Sequence, residues 1–95
     1  MNIEKDKSVS RFLDAVLSLK NKEECSAFFL DICTIKELLD LGQRIEVASL
    51  LSEGLSYQEI CEKTGASSAT ISRVNRCLLY GEGGYRIVLD RADKV

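Results

Sequence analysis

Between Ser56 and Leu78 the chain reads SYQEICEKTGASSATISRVNRCL, and its polar residues are of the types that grip nucleic acid. The small hydroxyl residues Ser67, Ser68, Thr70 and Ser72 surround Ala69, and Arg73 and Arg76 follow. Hydroxyls hydrogen-bond bases or phosphates, and an alanine or threonine methyl can touch a thymine methyl. Arginine takes phosphate or guanine in a bidentate grip. The segment reads as two short helices around a glycine turn. Tyr57 to Thr64 forms the first, with Ile60 and Cys61 inward. Gly65 takes the turn, where a left-handed conformation costs glycine least. Ser67 caps the second helix, and Ile71, Val74 and Leu78 recur on one face to anchor it. Ala69, Ser72, Arg73 and Arg76 then project outward, flanked by Ser68 and Thr70 at the N-terminal end. Free N–H groups at that end favour phosphate. This spacing is that of a helix-turn-helix, whose second helix enters the major groove of DNA, although plain helical hairpins also imitate it.

No other chemistry competes. The chain has no histidine, so acid–base and nucleophilic constellations are missing, and an enzyme is not expected. The Gly81-Glu-Gly-Gly84 run follows a helix rather than a strand, which excludes a phosphate loop. Cys25, Cys33, Cys61 and Cys77 form no Cys-x-x-Cys pair, so no metal site is expected. Each falls at an apolar-face position of a predicted helix and is expected to be a reduced, buried thiol.

The net charge is −2, which is awkward for a nucleic-acid binder. Residues 1–55 hold seven Lys/Arg against ten Asp/Glu, and residues 56–95 hold six against five. Any basic face is therefore local, and phosphate contacts should be few per subunit.

The elements that must position these residues are helical. Asn21-Lys-Glu-Glu24, Thr34-Ile-Lys-Glu37 and Ser56-Tyr-Gln-Glu59 each set a capping side chain three residues before a glutamate that can reach back. The apolar periodicity predicts helices over about Val9–Leu19, Lys22–Cys33 and Ile35–Glu53, the last stopped by Gly54. The long helix carries one apolar stripe through Leu38, Leu41, Ile45, Ala48 and Leu51 and a second through Leu39, Val47 and Leu50. A helix apolar on more than one side wants two neighbours. A chain of 95 residues, 45% hydrophobic, covers such faces poorly alone, so an interleaved homodimer is expected. Tyr85–Arg91 fits either a β-hairpin arm or a short terminal helix, and the all-helical context favours the helix. The expected fold class is all-α. One domain over 1–95 is expected: dimerisation helices in 1–55, the helix-turn-helix in 56–79, and a turn and short helix in 80–95. Neither a membrane span nor a signal peptide is legible, so the expected location is cytoplasmic.

From Thr34 to about Leu79 the chain resembles the tryptophan-repressor family. The resemblance rests on Thr34-x-x-Glu37, Leu41-Gly42-x-Arg44, the LLSEG that closes the long helix, and above all GASSATISR. The ending YGEGGYRIVLDR looks like a separate branch of that family. The resemblance implies a six-helix, intertwined homodimer with two reading heads one helical turn apart on a palindromic operator in double-stranded DNA. It also implies a repressor-like transcriptional regulator. It places Gln58 among the DNA contacts, with Ser68, Ala69, Thr70 and Ser72 in groove and backbone positions. Cys61 and Leu79 stand where family members carry lysine. For a ligand, it implies tryptophan or another small effector held by Arg44, Arg73 and Thr34, with no other cofactor. Around that ligand three positions depart from the family pattern: Val74 replaces a glycine, Cys77 a serine, and Asp31 a leucine. The alternative to a DNA reader is a protein-interaction module that keeps the fold.

Overall fold

The computed structural model describes residues 2–92 and contains six α-helices and no strand among them. A single 3₁₀ turn at Ile3–Lys5 precedes α1 (Lys7–Ser18), α2 (Lys22–Ile32), α3 (Ile35–Ser52), α4 (Tyr57–Thr64), α5 (Ser68–Tyr80) and α6 (Gly84–Ala92). The end of the expected 80–95 segment, residues 93–95, lies outside the described residues. No helix among those described is long and apolar enough to cross a membrane.

The helix starts follow local chemistry. Ser56 and Glu59 form a reciprocal capping box: the Glu59 N–H donates to Ser56 Oγ at 3.2 Å, and the Ser56 N–H donates to the Glu59 carboxylate at 3.0 Å. Thr34 and Glu37 do the same at 3.0 and 2.8 Å. At α2 the pattern differs by one residue. The Asn21 side chain accepts from the Glu24 N–H, but Glu24 reaches past Asn21 to the Lys20 N–H. The first helix begins at Lys7 rather than near Val9, because Asp6 caps it by accepting from the Ser8 and Val9 N–H groups. Apolar periodicity sees only the buried face and overlooks that polar first turn.

By internal contacts the chain divides into two compact units, Met1–Leu38 and Leu39–Val95. In the first, Phe12, Phe28 and Phe29 pack ring against ring, with centroids 5.5–6.4 Å apart in stacked and edge-on pairs. Aromatic pairs in this range add roughly 0.5–1.5 kcal/mol beyond their area burial. Even so, no residue of α1 or α2 is fully buried.

The second unit holds the buried core. Val47 and Ala48 from α3, Ile60 from α4, Ala66 from the turn, and Ile71 and Val74 from α5 form one cluster. Leu50, Leu51, Leu55, Cys61, Tyr85 and Leu89 close its edges. Both apolar stripes of α3 contribute to the core, but only near its C-terminal end. Further back Leu39 and Leu41 stay exposed. Gly54 ends α3 with φ at +88°, and the Leu55 N–H donates back to the Leu50 carbonyl, which closes the helix in a Schellman-type turn. The segment Gly84–Ala92 is helical, as its context suggested. Arg86 donates to Ser52 Oγ at 3.1 Å and pins α6 to the end of α3.

The cysteines depart from expectation. Cys25, Cys33 and Cys61 are half-buried and Cys77 is exposed, all four as free thiols. An apolar-face position is a local property, whereas burial needs a neighbouring surface, and the described residues leave Cys77 exposed.

Candidate nucleic-acid interface and adjoining cavity

The turn between α4 and α5 is built from side-chain hydrogen bonds. Gly65 stands at φ +74°. Thr64 donates its hydroxyl to the Ile60 carbonyl at 2.7 Å, and its oxygen accepts from the Ala66 N–H at 3.1 Å. Gln43 on α3 donates to the Thr64 carbonyl at 3.2 Å and ties the turn to the long helix. Neither Thr64 nor Gln43 was legible as a positioning residue, because their partners are set by tertiary packing. Ala66 is buried, so the chain enters α5 anchored on both sides of Ser67.

Ser67 is the cap of α5. Its Oγ accepts from the Thr70 N–H at 3.1 Å and donates to Thr70 Oγ1 at 3.1 Å. One N–H of the first turn, among those a helix leaves without an intrahelical partner, is thereby satisfied. Ile71, Val74 and Leu78 are buried, as their spacing required. On the opposite side Ser68, Ala69, Ser72, Arg73 and Arg76 are all exposed, and so is Gln58 on the first turn of α4. α5 thus presents a face of two small hydroxyls, one methyl and two guanidinium groups with no acidic residue on it. Thr70 differs from its expected outward position. It is half-buried, and its hydroxyl is engaged by Ser67.

Thr70 belongs instead to a cavity of about 230 Å³ lined by Arg44, Thr70, Arg73, Val74, Cys77 and Tyr85. The structure therefore brings together Arg44 from α3 and Arg73 from α5, the two arginines singled out for a ligand. Val74, 3% exposed, forms part of the wall. Tyr85 of α6 completes the lining, although its place there was not legible in the sequence. The third ligand candidate, Thr34, is exposed and engaged with Glu37 in the capping box of α3.

The comparisons agree with this architecture. The family model for the Trp repressor protein matches residues 7–93. The chain is 53% identical over 85 residues to YerC, an uncharacterized Bacillus subtilis protein, covering 90% of this chain and 82% of that one. A crystal structure of a TrpR-like protein from Eubacterium eligens superposes with a TM-score of 0.93 at 52% identity, covering 98% of this chain and 96% of that one. A candidate Trp repressor from Staphylococcus aureus superposes with a TM-score of 0.91 at 44% identity, over 98% and 95% of the two chains. Fold, motif and sequence agree over nearly the whole length: the chain belongs to the Trp repressor family, a family of DNA-binding regulators built on this all-helical fold.

Proposed function

We propose that the protein is a sequence-specific, DNA-binding transcriptional regulator of the repressor type, acting as a homodimer on a palindromic site. One observation carries the reading. On α5 the anchoring residues Ile71, Val74 and Leu78 are buried, while Ser68, Ala69, Ser72, Arg73 and Arg76 are all exposed on one acid-free face. In this reading residues 56–79 read DNA and residues 1–55 supply the dimer contacts. Gln58 and Ser67 bind phosphate at the rim, and Arg76 reaches phosphate or guanine. Thr70 supports α5 from behind and contacts DNA only through its methyl. Selection from a random duplex pool at low salt should enrich a palindrome whose half-sites lie one helical turn apart. Absence of any enriched sequence would sink the reading.

A second reading, a protein-interaction module that keeps the fold without binding DNA, is favoured by the net charge of −2 and by uncharged Gln58, Cys61 and Leu79. Replacing Arg73 and Arg76 together by alanine separates the two. A DNA-linked phenotype vanishes under the first reading and persists under the second.

A further inference from the structure

We propose that Gln43 of α3 is a positioning residue for the reading head. Its hydrogen bond to the turn between α4 and α5 fixes the angle at which α5 is presented, and through that angle the half-site spacing that the dimer accepts. That role rests on the DNA-binding reading above, whereas the bond itself does not.

The turn hangs on Thr64. Its carbonyl accepts from Gln43 Nε2 at 3.2 Å. Its hydroxyl donates to the Ile60 carbonyl and accepts from the Ala66 N–H. Ala66 is buried and leads directly into Ser67, the cap of α5. A path of hydrogen bonds therefore runs from α3 through Thr64 to the start of the second motif helix. The Thr64 carbonyl belongs to the last residue of α4, among those that a helix leaves without an intrahelical partner. Gln43 supplies that partner from another helix. Both residues are half-buried, so losing the donor leaves an acceptor that water reaches only in part.

α3 holds the motif at two points. Val47 and Ala48 share one apolar cluster with Ile60, Ile71 and Val74. Apolar contact is non-directional and by itself lets a helix pair rock about the cluster. Gln43 stands four residues before Val47, on the same face of α3 and about 6 Å nearer its start. A hydrogen bond is directional, and a second attachment one turn away converts a pivot into a fixed angle. Earlier on α3, Leu39 and Leu41 are exposed in the segment assigned to dimerisation. Along that one helix Gln43 stands between these apolar residues and the buried cluster. It belongs neither to the exposed face of α5 nor to the lining of the cavity at Arg44.

The test compares full-length wild type with Gln43→Met, which keeps the length and removes the donor, and Gln43→Lys, which restores one. If Gln43→Met does not fold, Gln43→Glu, which keeps the shape and puts an acceptor in place of the donor, replaces it. In NMR spectra without DNA, the Thr64 carbonyl carbon should move upfield in Gln43→Met and return toward wild type in Gln43→Lys. Each protein is then titrated with a duplex selected by wild type. It is also titrated with copies whose half-sites stand one base pair closer or farther apart, and with copies carrying one base substitution inside a half-site. Gln43→Met should lose several-fold of the preference for the parent spacing, the size one hydrogen bond gives, while the penalty for a substituted base is unchanged. Gln43→Lys should recover the preference. A variant that is merely less folded weakens on every duplex alike and changes no ratio. Wild-type spacing preference in Gln43→Met, equal loss of spacing and base discrimination, uniform weakening, or no recovery in Gln43→Lys each overturn the positioning role. An unmoved Thr64 carbonyl overturns the bond. If wild type selects no duplex, the DNA reading fails and the spacing role falls with it. If duplexes bind with unaltered spacing preference, only the role of Gln43 falls.

Discussion

Ser67 concentrates two roles in one hydroxyl. It closes the first turn of α5 and bonds to Thr70, which lines the cavity. Removing a serine cap costs about 1 kcal/mol, within a range of roughly 0.5–2 kcal/mol. Ser67→Ala should therefore lower stability by about that much in a urea melt. Under the DNA-binding reading it should also weaken DNA binding, since the frayed turn is the end proposed to approach the groove. A variant with unchanged stability would mean that the hydrogen bonds to Thr70 contribute nothing. Arg76 tests a different quantity. It is exposed and lines no part of the cavity, so under the DNA-binding reading its role is separable from any effect of the cavity. If it binds phosphate, Arg76→Ala reduces the slope of log affinity against log salt by about one and weakens all sequences alike. Loss of discrimination at one base pair with an unchanged slope would assign it to guanine instead.

At the scale of elements, the capping box of α4 gives a pH signature. The Glu59 carboxyl is held below the ordinary glutamate value of 4.5, chiefly because it accepts the Ser56 N–H, with the Ser56 side chain and the nearby charge of Lys63 adding to this. Its folded value is depressed, so its contribution to stability is fully present above the ordinary value. That contribution is lost as pH falls through the lowered folded value. Glu59→Gln can still reach back to the cap but carries no charge. The stability gap between wild type and this variant should narrow as urea melts are taken from pH 7 to below about 4.5. A gap constant with pH would remove the carboxylate from the account of α4. The caps were also the most legible part of the chain. Asn21, Thr34, Ser56 and Ser67 act on N–H groups three residues on, and the buried spacing of Ile71, Val74 and Leu78 is likewise local to one helix. Contacts between elements left no such trace. Gln43 reaches Thr64 across twenty-one positions, and Tyr85 reaches the cavity from a helix whose pattern also fitted a strand. The start of α1 was missed for a third reason: Asp6 caps a polar turn that carries no apolar period.

At the scale of the whole molecule, the distribution of exposed apolar side chains argues for a second copy of the chain. Full burial is confined to residues from Val47 to Leu78, and among the described residues α1, α2 and α6 contribute none. Leu17 is 82% exposed, Ile35 70% and Leu39 68%, all on the helices assigned to dimerisation. Burying one such side chain contributes roughly 1.5–3 kcal/mol, so leaving all of them in water would forfeit much of the stability of a small domain. Of the thirteen large apolar side chains exposed among the described residues, eight lie in residues 1–55, so the exposure is weighted toward the segment assigned to dimerisation. The prediction is a dimer whose unfolding is linked to assembly. Its melting temperature should rise with protein concentration, since association stabilises the folded state by mass action. Sedimentation at micromolar concentration should give twice the chain mass. Leu39→Asp should shift the mass toward one chain and remove the concentration dependence, and with it the paired reading heads that a palindrome requires. A melting temperature independent of concentration, together with a single-chain mass, would leave the apolar helices uncovered and overturn the dimeric reading.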